Sequence, residues 1–334
     1  MVTFLFCYVF VLLFCDVVIA QPQLLAFKYE HSYGQLTFTF DTVVSARSMD
    51  FSKIALLDRT ITPGSSLNDG SVVVFNFTSV FSDMSLQGNT TQPTFVLNSD
   101  DYANLVHSYG SLAKSLNETV IYLEEGAFET WEHVACVNNT GGFTATEWFP
   151  DTLNPYIIDW SLDMNKGNLQ ISFSEPVVGY GDSNLEFSLD NLGIQAKRNI
   201  EYTIGNPNYV SLIDTEETSL VSATSYNRII TVFIGSTNLN RIKQGSIVGR
   251  TSSTSWFSIL HPIINDTSNN VLALGGVDFY DAIAVTTFIP DTNRPSLINW
   301  DFDVYLGTFS LYFSEVIDAS SFNYTALGIS NQYD

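Results

Sequence analysis

Residues 150–175 read PDTLNPYIIDWSLDMNKGNLQISFSE, and residues 290–315 read PDTNRPSLINWDFDVYLGTFSLYFSE. The two align without a gap. Eleven of the 26 positions are identical, among them Trp160/Trp300, Gly167/Gly307 and the closing Phe-Ser-Glu at 173–175 and 313–315. A fainter copy, LLAFKYEHSYGQLTFTF, occupies residues 24–40. Self-similarity at a fixed spacing marks a tandem array, so the architecture is repetitive before any single residue is weighed.

Each copy opens with two alternating apolar segments. The first copy places Leu25, Phe27 and Tyr29, then Leu36, Phe38 and Phe40, at every second position. The second does so with Ile158, Trp160 and Leu162, then Leu169, Ile171 and Phe173; the third with Ile298, Trp300 and Phe302, then Phe309, Leu311 and Phe313. Period-two alternation predicts strands with one buried face. The connectors end in Gly34, Gly167 and Gly307, as expected of hairpin turns that close at a left-handed residue. Further strands are expected at 72–77, 94–97, 120–123, 200–204, 229–234 and 256–260. The stretches 99–105 and 236–242 align and each hold a helical turn. The expected fold class is all-β, a tandem series of β-sandwich repeats, which the resemblance given below makes immunoglobulin-like.

The boundaries follow from the PDT-x-x-P linkers, whose prolines restrict the backbone. They give a leader at 1–20, repeat 1 at 21–148, repeat 2 at 149–288 and a partial repeat 3 at 289–334. The third piece has 46 residues against a period of 140, too few to bury its own apolar face. Its missing strands are expected from a continuing chain or from a neighbouring molecule.

The leader MVTFLFCYVFVLLFCDVVIA is apolar from Phe4 to Phe14 and offers Val18 and Ala20 to a signal peptidase. Asp16 cuts the run short of the ~20 apolar residues a membrane span needs. No later segment is apolar enough, so the mature chain is expected to be secreted or displayed at the cell surface with no span. Removing the leader leaves 34 acidic and 13 basic side chains, a net charge of −21. Nucleic acid, whose phosphates need lysine and arginine, is thereby disfavoured. Only Cys136 remains as a thiol in the mature chain. It is a candidate for an intermolecular disulfide, with a buried free thiol as the alternative. Six N-x-S/T sequons, at Asn76, Asn89, Asn117, Asn138, Asn265 and Asn323, fit a glycoprotein.

Chemistry is thin. His31, His107, His133 and His261 show no metal spacing. Ser111-Leu-Ala-Lys114 lacks the companion motifs of an S-x-x-K enzyme. The expected function class is therefore non-catalytic. More distinctive are the acids around each linker: Asp151, Asp159, Asp163 and Glu175, then Asp291, Asp301, Asp303 and Glu315. Such sets can supply the oxygen ligands of Ca²⁺, against the simpler reading of turn caps and a solvated surface.

The phrases FSEPV at 173–177, FSEVI at 313–317 and NDTSNN at 265–270 resemble the immunoglobulin-like repeats of bacterial and protist surface proteins. Arrays of this style include algal and protist surface and flagellar-hair (mastigoneme-like) proteins. The family's late D-x-x-G-N turn lacks its glycine here. The resemblance implies an extracellular structural or adhesive protein, acting as a spacer or assembly subunit. Its implied partners are further copies of itself or other surface and matrix proteins. A carbohydrate-binding module, with Trp131, Trp148 or Trp256 stacking on sugar rings, is the alternative, as is the non-catalytic platform of a larger secreted enzyme.

Overall fold

A computed structural model describes residues 20–63, 65–67, 70–78, 88–108, 112–178, 189–201, 203, 205–213, 215–220, 226–245 and 247–328. The expected leader at 1–20 lies outside these apart from Ala20, and Ser111 lies outside them too. The chain is all-β in character, with two α-helices among the described residues. None of its described helices is long and apolar enough to cross a membrane. The chain divides into two compact units: unit 1 holds residues up to 105 and 109–150, and unit 2 holds 106–108 and 151–334.

Unit 1 contains β1 (Leu24–Glu30), β2 (Gln35–Phe40), β3 (Val44–Ser45), β4 (Ile54–Leu57), β5 (Val74–Asn76), β6 (Asn89–Thr90), β7 (Thr94–Val96), β8 (Val120–Leu123), β9 (Phe143–Thr144) and β10 (Glu147–Phe149), with α1 (Ser99–Ser108) up to residue 105. One sheet runs β10-β1-β2-β7, a second β5-β4-β8-β9, and β3 pairs with β6. Phe27, Phe38 and Phe95 from the first sheet share one core with Leu56, Phe75 and Ile121 from the second. Phe128 joins them, its ring 5.2 Å from Phe38. Each such side chain stabilises the unit by about 1.5–3 kcal/mol on burial.

Unit 2 contains β11 (Ile157–Asp163), β12 (Asn168–Val178), β13 (Leu192–Gln195), β14 (Tyr209–Ser211), β15 (Ser219–Leu220), β16 (Tyr226–Phe233), β17 (Trp256–Ile259), β18 (Ile283–Ala284), β19 (Thr287–Ile289), β20 (Leu297–Asp303) and β21 (Thr308–Phe313), with α2 at Gly235–Gln244. Its sheets run β15-β16-β12-β11-β19 and β14-β13-β17-β18, while β20 and β21 form a separate hairpin. The pairing copies that of unit 1. β1 takes β10 in parallel (Lys28 opposite Glu147), and β11 takes β19 in parallel (Ser161 opposite Thr287). β2 takes β7 antiparallel, and β12 takes β16 likewise. Trp160, fully buried, tilts on Phe257 of the facing sheet at 5.3 Å and donates Nε1–H to the Ile283 carbonyl at 2.9 Å.

All three hairpins share a device that alternation hides. The register slips by one residue between Leu24 and Ala26, between Ile157 and Asp159, and between Leu297 and Asn299. The extra residue is Leu25, Ile158 or Ile298, and each is exposed. These three were expected on the buried face; the bulge turns them outward, and in the second copy Ile157 takes the inward place. The connectors close as expected, with Gly34, Gly167 and Gly307 at φ of 58°, 72° and 66°.

Other expectations shift. The strand expected at 200–204 is absent from its described residues 200, 201 and 203. The pairing falls instead to β14, nine residues further on, which lies antiparallel to β13. The two helical turns are full ten-residue helices. The β20–β21 hairpin forms, but Trp300 is 52% exposed and, among the described residues, stacks on Phe309 of its own hairpin, at 5.3 Å.

Candidate functional site

The turn that carries the sequence NDTSNN occurs in both units. Residues 129–135 and 265–271 each close a short bridge, Glu129 with Ala135 and Asn265 with Val271. In unit 2, Asp266 Oδ1 accepts from the backbone N–H of Ser268 at 2.7 Å and of Asn270 at 2.8 Å. In unit 1, Thr130 Oγ1 takes the same place, accepting from Glu132 at 3.3 Å and Val134 at 3.1 Å. The left-handed position is Asn269 at φ 66° in one and His133 at φ 65° in the other. Asparagine and histidine tolerate that region better than most side chains, which accounts for a turn of this type without glycine.

The unit 2 turn lies along the end of β12, where Val177 bridges Asp266 and Val178 N–H donates to the Asn265 carbonyl at 2.8 Å. That register brings Asp266 to Glu175. The PDT segment delivers Asp151, its carbonyl accepting from Asn270 Nδ2 at 3.3 Å and its Oδ1 from Leu153 N–H at 3.1 Å. One carboxylate oxygen from each of Asp151, Glu175 and Asp266 falls within 4.8 Å of the others. Asp151, Glu175 and Asp266 are 7%, 9% and 1% exposed.

The electrostatics are unfavourable as they stand. Burial pushes Glu175 up to about 8, and the charges of Asp151 and Asp266 add to the effect; only Arg228 works the other way. Arg228 spends a donor on the Ser174 carbonyl. Asp266 is also raised, by burial first, against its own hydrogen bonds from Asn270 and Ser268. Asp151 and Asp266 accept backbone N–H groups, whereas the Glu175 side chain is paired with the Asp151 carboxyl. Three carboxylates at this spacing suit a hard cation with oxygen ligands, such as Ca²⁺, which takes six to eight oxygens at about 2.3–2.6 Å. A proton or a bound cation would relieve the repulsion at Glu175.

The other sequence-predicted acids divide cleanly. Asp291 and Glu315 converge as Asp151 and Glu175 do, but on a lysine: Lys243 of α2 lies 2.9 Å from Asp291 Oδ2 and 2.6 Å from Glu315 Oε2. Burial opposes the Lys243 ammonium, yet the hydrogen bonds it donates to Glu315 and Asp291 outweigh burial and raise its pKa. Val106 of α1 stands where α2 has Lys243, on the alignment that pairs the fully buried Asp101 with Asn238. Asp163 and Asp303 are turn caps, each accepting two backbone N–H groups of its own hairpin turn. Asp159 sits on β11 opposite Ser172, outside the cluster. Asp301 accepts from the Tyr312 hydroxyl and raises its pKa. Asp266 was missed from sequence because its partners lie about ninety residues or more away. The recurrence of the turn at 129–135 was the available signal.

Replacing Lys243 with Met should leave Asp291 and Glu315 half-buried with no cation, at a cost of about 2 kcal/mol. Limited proteolysis should then cut the 290–296 linker faster than in the parent. Equal cutting rates would show that Lys243 does not hold the third hairpin.

Cys136 is fully buried, with Phe128 N–H donating to its Sγ at 3.3 Å, and burial raises its pKa. An intermolecular disulfide at this position would require the core to open, and the burial fits the free-thiol alternative. Among the sequons, Asn76, Asn89, Asn117 and Asn323 are exposed, while Asn138 and Asn265 are partly buried with enclosed Oδ1 atoms. Trp148 donates to the Ala113 carbonyl and Trp256 to that of Ser253. Trp131 stands apart at 66% exposed. The sequence matches no protein-family model, and no curated protein matches it.

Proposed function

We propose that this chain is a secreted or cell-surface structural protein, an array of immunoglobulin-like repeats serving as spacer or assembly subunit, with Ca²⁺ at the Asp151–Glu175–Asp266 cluster. One observation carries the reading. What the copies share is scaffold: all three have the bulged hairpin and its left-handed glycine, and units 1 and 2 also share the parallel edge strand and the side-chain-capped turn. Residues that recur because a fold is rebuilt serve reach and assembly better than a single reaction centre. The Asp of PDT and the Glu of FSE recur with the scaffold: in one copy they converge with Asp266, in the other on Lys243. Four exposed sequons and the apolar leader agree with an extracellular route.

Expression in a eukaryotic secretory host tests this. The chain should be recovered from the medium with Gln21 at its N-terminus. Enzymatic removal of N-glycans should lower its mass, first at Asn76, Asn89 and Asn117. Retention in the cytosol with an intact, unglycosylated N-terminus would overturn the secreted reading.

A further inference from the structure

The shared turn gives an internal comparison. In unit 2, Thr267 follows the cap Asp266 and Asn269 holds the left-handed position; the turn forms fully. In unit 1, the equivalent residues are Trp131 and His133. The fold therefore does not need a tryptophan there. Trp131 nonetheless stands two-thirds exposed at the tip of a turn fixed by four hydrogen bonds: Thr130 N–H to the Val134 carbonyl, His133 N–H to the Thr130 carbonyl, and two to Thr130 Oγ1. An indole carried into solvent on such a turn presents a flat apolar platform, and with two side-chain torsions it loses little conformational freedom on binding.

Beside it lies a surface cavity of about 420 Å³, whose lining includes Asp50, Lys53, Glu129, Thr130, Trp131 and His133. That volume lies within the range of small-molecule sites. Its walls alternate acceptors and donors. Glu129 Oε2 is 3.2 Å from His133 Nδ1, and Lys53 Nζ is 3.9 Å from Asp50 Oδ2. Gly126, at φ 74°, lies against Lys53 in this lining, where a Cβ would come within 3.1 Å of Lys53 Nζ. Asp50 is fixed by capping Ser52, to whose N–H its Oδ1 is 3.1 Å. The groove is thus an aromatic face set against two carboxylates, an ammonium and an imidazole.

We infer that this groove binds a neutral sugar, with a pyranose ring stacked on Trp131 and its hydroxyl groups hydrogen-bonded by Glu129, Asp50 and Lys53. A pyranose offers an apolar C–H face for the indole and vicinal hydroxyls that both donate to carboxylates and accept from lysine. An anionic ligand meets two carboxylates and a chain of net charge −22. A wholly apolar ligand would strip water from four charged or polar groups with nothing in return. The inference goes beyond the structural role proposed above and does not depend on it: a spacer repeat can carry such a site or lack it.

The experiment uses the whole chain on a printed array of neutral and acidic oligosaccharides, followed by calorimetry with the strongest hit. Trp131→Thr installs the residue that unit 2 carries at the same place, so folding is retained; an unchanged melting temperature checks this. The expected result is binding to neutral pyranosides, weakened roughly 30-fold or more by Trp131→Thr, the loss seen when a central aromatic anchor is truncated. Glu129→Gln should weaken the same ligand less. Thr267→Ala, at the equivalent position of unit 2, should leave affinity unchanged. Absence of any hit on the array, hits confined to acidic sugars, or affinity that survives Trp131→Thr would each overturn the assignment.

Discussion

Trp160→Ala should lower the stability of unit 2 by about 3–5 kcal/mol, while Trp300→Ala, the same substitution at the same place in the repeated sequence, should cost well under 1 kcal/mol. The two tryptophans hold the same position in hairpins of the same register and bulge, Trp160 opposite Ile171 and Trp300 opposite Leu311. They differ in what covers them. Trp160 is fully buried against Phe257 on the facing sheet, and its Nε1–H is matched by the Ile283 carbonyl. Deleting the indole leaves a large cavity and an unpaired carbonyl. Trp300 lies on a hairpin that pairs with no other strand among the described residues and is already half in solvent. For a unit of this size the first change should depress the melting temperature by roughly 10 °C. Calorimetry on both variants decides. A comparable loss from Trp300→Ala would mean that the third hairpin is covered in solution, by another molecule or by its own association.

That contrast also marks how far the sequence could be read. Hairpins were legible because alternation and a closing glycine are local signals, repeated three times. The bulge was not, since Leu25, Ile158 and Ile298 are apolar and fit the alternation that the extra residue breaks. β4 and β13 escaped notice for another reason. All four residues of Ile54–Leu57 and of Leu192–Gln195 are buried, so neither segment alternates. At the cluster, Asp151 and Glu175 were legible as recurring acids. Asp266 was hidden by distance along the chain, and Asp163 and Asp303 were over-read because a turn cap and a metal ligand use the same side chain.

In chelator, stability should fall as pH rises from 5 to 8, and millimolar Ca²⁺ should abolish the fall. The sign follows from Glu175, pushed up to about 8 from an ordinary 4.5 by burial and by the neighbouring carboxylates. Between those two values the folded chain holds a proton that the unfolded chain has released, so raising the pH favours unfolding; above about 8 both states are ionised and the slope vanishes. The shift is large enough for a loss on the order of 3 kcal/mol across the window. A Ca²⁺ ion replaces that proton with two positive charges and binds the fully ionised set best, so its effect grows with pH. At about a hundredfold excess over its dissociation constant it adds roughly 2.7 kcal/mol, or close to 8 °C at pH 8. Mg²⁺ should do less, because it tolerates irregular carboxylate cages poorly. Glu175→Gln separates the two causes. Without its charge the variant should exceed the parent in stability at pH 8 in chelator, lose most of the pH slope, and respond weakly to Ca²⁺. If the parent melts at one temperature in chelator and in Ca²⁺ at pH 8, the metal assignment fails. If Glu175→Gln also leaves the pH slope unchanged, the buried carboxylate is not the group that sets it.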